Sequence, residues 1–325
     1  MKALVLISLC IGQTLLAADE APPTYEPRAE LGRHDDVVNA VTYSADGKRL
    51  ATGSDDDTIT IWNAADGERL VTLKGHKDSV LGVAFSPDRQ RLASASADHD
   101  VIVWNADTGE QLFKLAGHAN SVNSVAFSRD GGMLASGSDD DTIKLWDLAT
   151  HRVIATLAEH TDSVNGVCFS PDGQLLASAS SDDTIKLWNL ATRKVAATLK
   201  KHTDAVNGVA FSPDGKTLAS AGSDHHIMLW NVETHAHDAT LTAHDSAVNA
   251  VAFAPNGKWL ATASADATVS LWNVVTRKEI ATLTDHDDWV NDVAISPDGK
   301  TLASASDDGS ILLWDIPPKQ RPVQP

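Results

Sequence analysis

Apolar and polar positions in this chain fall into short runs with the two-residue period of a strand. Ser121 to Phe127 alternates in this way, and Ser128-Arg129-Asp130-Gly131 follows as a turn. Met133 to Gly137 is a second strand, Ser138 to Asp141 a tight polar turn, and Thr142 to Trp146 a third strand. Beyond the turn Asp147 to His151 comes a fourth strand, Val153 to Leu157, and then a loop ending at His160. Related turns read Ser-Pro-Asp-Gly from positions 170, 212 and 296, and Asp before Gly suits a turn that needs a left-handed residue. No segment sustains a 3.6-residue apolar period, so the pattern predicts essentially no helix.

The same unit occurs seven times. His34, His76, His118, His160, His202, His244 and His286 are spaced 42 residues apart, and so are Trp62, Trp104, Trp146, Trp188, Trp230, Trp272 and Trp314. Asp56, Asp98, Asp140, Asp182, Asp224, Asp266 and Asp308 form a third series at that interval. Self-similarity at this period indicates a solenoid, a propeller or an array, whose units share one body. It overrides the two domains that 325 residues alone would predict. Residues 26–31 align with 68–73 although no complete copy precedes them. They read as the last strand of a unit whose other strands lie elsewhere.

Four short strands per unit, with Gly75-His76, Gly117-His118, Trp146-Asp147 and Trp314-Asp315, resemble the WD-repeat β-propeller family. The departures are mild: the residue before His varies, and Asn often follows Trp, as at Asn63 and Asn189. The resemblance covers about residues 26–316, and the leader described below points to an exported member of bacterial type. It implies an all-β, seven-bladed propeller with four antiparallel strands per blade. Its ring would close by pairing the strand at 26–31 with the last blade, and Pro27 is acceptable on such an outermost edge. Physics favours the same architecture, because radial closure leaves only short strand edges exposed. The resemblance also implies a hydrogen-bonded tetrad inside each blade, for example His76, Ser94, Asp98 and Trp104, or His118, Ser136, Asp140 and Trp146. A Ser or Thr stands four residues before the Asp in every copy.

Composition narrows the function. Hydrophobic residues make up 42% and charged residues 22%, ordinary values for a soluble globular chain. A net charge of -18 and a pI near 4.9 argue against a nucleic-acid partner, which needs a basic face. Met1-Lys2, an apolar run and Leu16-Ala17-Ala18 read as a signal peptide over residues 1–18, implying export to a periplasmic or extracellular compartment. The apolar run is too short to span a membrane comfortably. A flexible segment, 19–25, precedes the propeller at 26–316, and a flexible tail occupies 317–325. Cleavage leaves Cys168 as the sole cysteine, at a position where sister copies carry a small residue such as Ala126, so it reads as a small strand residue.

Seven identical Ser-His-Asp sets make no sense as one active site, so the tetrads read as architecture. Acidic turns such as Asp55-Asp56-Asp57 lack the alternating oxygen spacing of a calcium loop. No metal and no cofactor are expected, and no catalysis, since no non-repeating set of nucleophile, base and orienting acid can be assembled. Function should sit where copies differ. Asn39, Leu81, Asn123, Asn165, Asn207, Asn249 and Asn291 share one position, which in similar propellers faces the upper mouth of the channel. Such a ring can bind a polar ligand, or hold water and bond neighbouring strands. Trp289 interrupts a series of small or medium residues, as an aromatic interface anchor would. Candidate partner-binding residues are therefore Trp289, Leu81, Asn291, Asp307, Asp55, Asp139, His99 and His225. The expected function is a monomeric, non-catalytic scaffold that binds a protein or peptide on the upper face. The alternative is a secreted propeller enzyme, or a binder of carbohydrate or another small ligand, at the channel mouth.

Overall fold

A computed structural model describes residues 25–316; the expected leader, residues 19–24 and the tail lie outside the described residues. Seven four-stranded antiparallel sheets are arranged as blades, and no helix occurs among the described residues. In blade 3 the strands are Val122–Phe127, Met133–Ser138, Ile143–Asp147 and Arg152–Leu157. Tight turns between short alternating runs force each strand to pair with the one before it. Each innermost strand touches the innermost strands of both neighbours, including Val38–Tyr43 against Val290–Ile295, so the ring is closed.

Packing between blades supplies the core. Trp62, Leu50 and Val38 of blade 1 pack against Ala303, Ile311 and Leu313 of blade 7, and equivalent clusters fill the other blade interfaces. A blade buried on both faces needs strands with apolar residues on both sides, which explains runs such as Leu312-Leu313-Trp314.

The N-terminal segment completes blade 7. Ala29 pairs with Leu313 and Glu30 with Leu312, while Arg28 N–H donates to the Leu313 carbonyl (2.6 Å) and Leu31 N–H to that of Ile311 (2.9 Å). Regular strand is confined to Ala29–Glu30, shorter than the 26–31 expected. Pro27 has no N–H to extend the ladder. Tyr25 departs from the flexible segment to which the sequence assigned it. It is only 8% exposed and packs in a cluster with Trp259 and Trp314, because burying a large aromatic ring outweighs the freedom of a Pro-rich lead-in.

Two irregularities recur. Pairing of every innermost strand with its neighbour skips one residue, as between Val122 and Ser124, and the skipped residue is the Asn or Leu of the channel series. The turn after each tetrad Asp has a left-handed residue: Asp57, His99, Asp141, Asp183, His225, Ala267 and Gly309, with φ between 62° and 78°. Asp and His tolerate that region better than most side chains.

Candidate functional site: the upper face and channel mouth

Loops leading into the innermost strands and the turns after the tetrad Asp residues share one end of the ring, here called the upper face. Below them the tetrads repeat with little variation. The Trp146 indole N–H donates to Ser136 Oγ at 2.8 Å, Ser136 Oγ lies 2.7 Å from His118 Nε2, and His118 Nδ1 lies 2.8 Å from Asp140. Blade 2 matches, with Trp104–Ser94 at 2.8 Å, Ser94–His76 at 2.7 Å and His76–Asp98 at 2.9 Å. A neutral imidazole satisfies the whole chain: Nδ1–H donates to the carboxylate, and Nε2 accepts from the hydroxyl. Burial holds His76 and His118 below the usual imidazole range against the pull of their Asp partners. Burial raises Asp140, but bonds from Thr142, the Ala119 N–H and His118 outweigh it and hold the carboxyl at about 2. Such a set is fully bonded and enclosed, a girder for the blade.

The channel series bonds blade to blade. Both amide hydrogens of Asn291 are used, one on the Val38 carbonyl of blade 1 (3.1 Å) and one on Asp307 (2.7 Å). Asn39 likewise reaches the Val80 carbonyl at 3.2 Å and Asp55 at 2.7 Å, and Asn123 the Val164 carbonyl at 3.2 Å and Asp139 at 2.6 Å. Asn165, Asn207 and Asn249 also donate to the Val carbonyl of the next blade. Acceptors on both sides fix the orientation of every amide but that of Asn249, whose blade carries Ala265 where the others have Asp or Ser. The bulge is what turns the Asn toward the next blade. Leu81 breaks the series, half-buried at the channel mouth, and leaves the junction of blades 2 and 3 without this bond.

Above the ring stands Trp289, 55% exposed, its carbonyl accepting the Asp307 N–H at 2.9 Å. Asp307 lies beneath it on the same rim. Burial raises its pKa, the Asn291 bond opposes that, and the charges of Asp288, Asp55 and Asp308 add to the rise. Trp289, Asn291 and Asp307 thus form one local group, with the Asp55 charge close by. Asp139 lies on blade 3, and His99 and His225 are exposed on the turns of blades 2 and 5, so these three are spread around the rim.

One residue of the channel escaped the sequence reading. Asp292 stands where the other copies have Ala40, Gly82, Ser124, Gly166, Gly208 and Ala250. Its carboxylate accepts the Val41 N–H of blade 1 at 2.9 Å and its neighbour Val293 N–H at 2.8 Å. Burial pushes its pKa up to about 7 against those two bonds. The signal was there as a lone acid in a column of small residues, one step beyond the Asn column. Among the described residues no group of three or more His, Cys, Asp or Glu side chains is placed to hold a metal ion. Burial lifts the Cys168 thiol to about 12, out of reach of thiolate chemistry near neutral pH.

Comparison with known proteins agrees with this geometry. A family profile described as the WDR3 first beta-propeller domain matches residues 24–190, and the WD domain, G-beta repeat matches 193–231, 237–273 and 277–315. The Nuclear distribution protein PAC1 of Ajellomyces capsulatus (strain H143) is 45% identical over 53 residues, which is 16% of this chain and 12% of that relative. WD-repeat propellers are in general non-catalytic platforms for protein partners. With a propeller-domain profile over half its length and G-beta repeats over the remainder, the chain belongs to the WD-repeat β-propeller family.

Proposed function

We propose that this chain is an exported, non-catalytic scaffold that captures a protein or peptide on its upper face, with Trp289 as the anchor. The observation that carries this reading is the exposure of a single large aromatic side chain, 55%, on a rim whose other copies offer small or medium residues. Aromatic anchors contribute most where they fill a partner's pocket. Asp288, Asp307 and Asp55 surround the anchor with negative charge, so the favoured partner carries a Lys or Arg beside an apolar side chain. A carbohydrate or small polar ligand at the channel mouth is less favoured, because in five of the six Asn residues both amide hydrogens are spent, one on the next blade and one on an Asp or Ser of the same blade. Export rests on the leader at residues 1–18 and is tested by N-terminal sequencing of the mature protein from the extracytoplasmic fraction.

Affinity capture from that fraction tests the binding role. Wild type should retain a partner that Trp289→Ala releases, with affinity reduced about thirtyfold, the scale of a hot-spot residue. Both proteins should unfold at the same temperature. Equal retention by the two removes Trp289 from the site.

A further inference from the structure

At the lower end of the ring, away from the upper face, an open cleft of about 870 Å³ spans blades 7, 1 and 2. Its volume lies within the range of small-molecule sites. Three residues that break the repeat meet there. Tyr43 replaces the Phe of Phe85, Phe127, Phe169, Phe211 and Phe253, and Ile295 of blade 7. Arg89 replaces the turn glycine of the other copies and keeps its left-handed backbone, φ 66°, at a cost a glycine would avoid. Arg28, just before the closing strand, stands where the next copy has Leu70. Subtracting the repeat therefore leaves a second set of singular residues, and all three line one cleft.

Its polar groups are unevenly matched. The Tyr43 hydroxyl is buried and has no hydrogen-bond partner, a state that native proteins rarely leave unfilled. Every acid of the cleft is engaged: Asp46 with Arg89 at 2.9 Å, Asp107 with Arg49 at 2.6 Å, Asp88 with Arg91 at 3.6 Å and Asp298 with Lys300 at 3.6 Å. Two cations are left with little. Arg28 approaches Asp315 only to 4.0 Å and a carbonyl at 3.4 Å, and Lys48 makes no side-chain hydrogen bond or ion pair among the described residues. The lining holds as many acids as cations, but because Asp88 and Asp298 are paired from outside it, Arg28 and Lys48 are left as its uncommitted cations beside an unused hydroxyl. The complement of such a group is an oxyanion, which a guanidinium fork, an ammonium and a phenol can all hold.

We propose that the lower cleft at the ring seam binds a small organic anion through Arg28, Lys48 and the Tyr43 hydroxyl. The oxyanion is a carboxylate or a phosphate, and two probes separate these sources: citrate and glycerol 3-phosphate. This site is independent of the upper face, so Trp289→Ala should bind the probes as wild type does.

Isothermal titration of the purified protein at low ionic strength should show saturable, one-to-one binding of at least one probe. Tyr43→Phe recreates the ring of the sister copies and so keeps the fold, with an unchanged or higher Tm in the absence of probe. It should weaken binding about tenfold, as loss of a hydrogen bond to a charged group does. Lys48→Ala should weaken it severalfold. Tighter binding of citrate assigns a carboxylate ligand, and tighter binding of glycerol 3-phosphate a phosphate. No saturation by either probe, or equal affinity in wild type and Tyr43→Phe, overturns the proposal.

Discussion

Asp292 is a carboxyl that burial pushes up to about 7, whereas in the unfolded chain an Asp titrates near 3.9. Between those values the unfolded state releases a proton that the folded state keeps. Stability is therefore undiminished by Asp292 below about pH 4, is eroded as pH rises toward 7, and is reduced by a constant amount above it. The gap of about three units sets that reduction at no more than about 4 kcal/mol. The tetrad groups act with the opposite sign. Burial lowers His34, His76, His118, His160 and His202, so their contribution is full above about 6.5 and is lost as pH falls through their lowered values. Asp140 and Asp182, held at about 2, lose theirs only as pH drops from about 4 toward 2. Serine is the native solution to the Asp292 position in blade 3, where Ser124 Oγ accepts the Val167 N–H at 3.2 Å. Asp292→Ser should therefore raise the Tm clearly at pH 8 and little at pH 4. Melting curves at both values check this, and an equal gain at the two would show that the carboxyl is not held protonated.

At the scale of elements, strands and turns were legible because each is written in a run of neighbouring residues. Met133 to Gly137 and Val153 to Leu157 differ from the observed strands by one residue at one end. The bulge at the Asn position was not legible, since it belongs to the pairing of two strands and not to either one. Without it the regular recurrence of the Asn column favoured strand bonding over a ligand, but the contacts to the next blade's carbonyls came only with the structure. Leu81 makes the role of those contacts measurable. A side chain there that donates to the Val122 carbonyl would supply the inter-blade bond that only this junction lacks. Leu81→Ala removes the leucine without adding a donor, so it is the reference. Leu81→Asn should be more stable than Leu81→Ala by about 1 kcal/mol, a typical net hydrogen bond, read from denaturant midpoints at constant m-value. Equal midpoints would reduce the Asn column to a lining of the channel.

The molecule as a whole depends on contacts between residues almost 300 positions apart, and these were readable only in outline. The alignment of residues 26–31 with 68–73 identified the closing strand. The burial of Tyr25 was hidden, because its neighbours Trp259 and Trp314 lie at the other end of the chain. The lower cleft was hidden for the same reason, being assembled from the first strand and three blades. Closure puts two large apolar groups in place at once: Leu31, 4% exposed beside Trp62 and Leu313, and Tyr25, 8% exposed. Deleting one such side chain from a core costs about 2 to 5 kcal/mol, and the strand's backbone bonds to Leu313 and Ile311 go with it. A chain beginning after Leu31 should lose at least about 5 kcal/mol. It should also expose the edge of strand Ile311–Asp315, which in an unpaired state invites pairing with a second chain. Thermal melts combined with sedimentation should show a lowered Tm and concentration-dependent association for the shortened chain. The double variant Tyr25→Ala, Leu31→Ala keeps the backbone ladder while removing the apolar contacts, so it should lower the Tm without the association. A shortened chain that melts like wild type and stays monomeric would mean that the inner three strands of blade 7 close the ring by themselves.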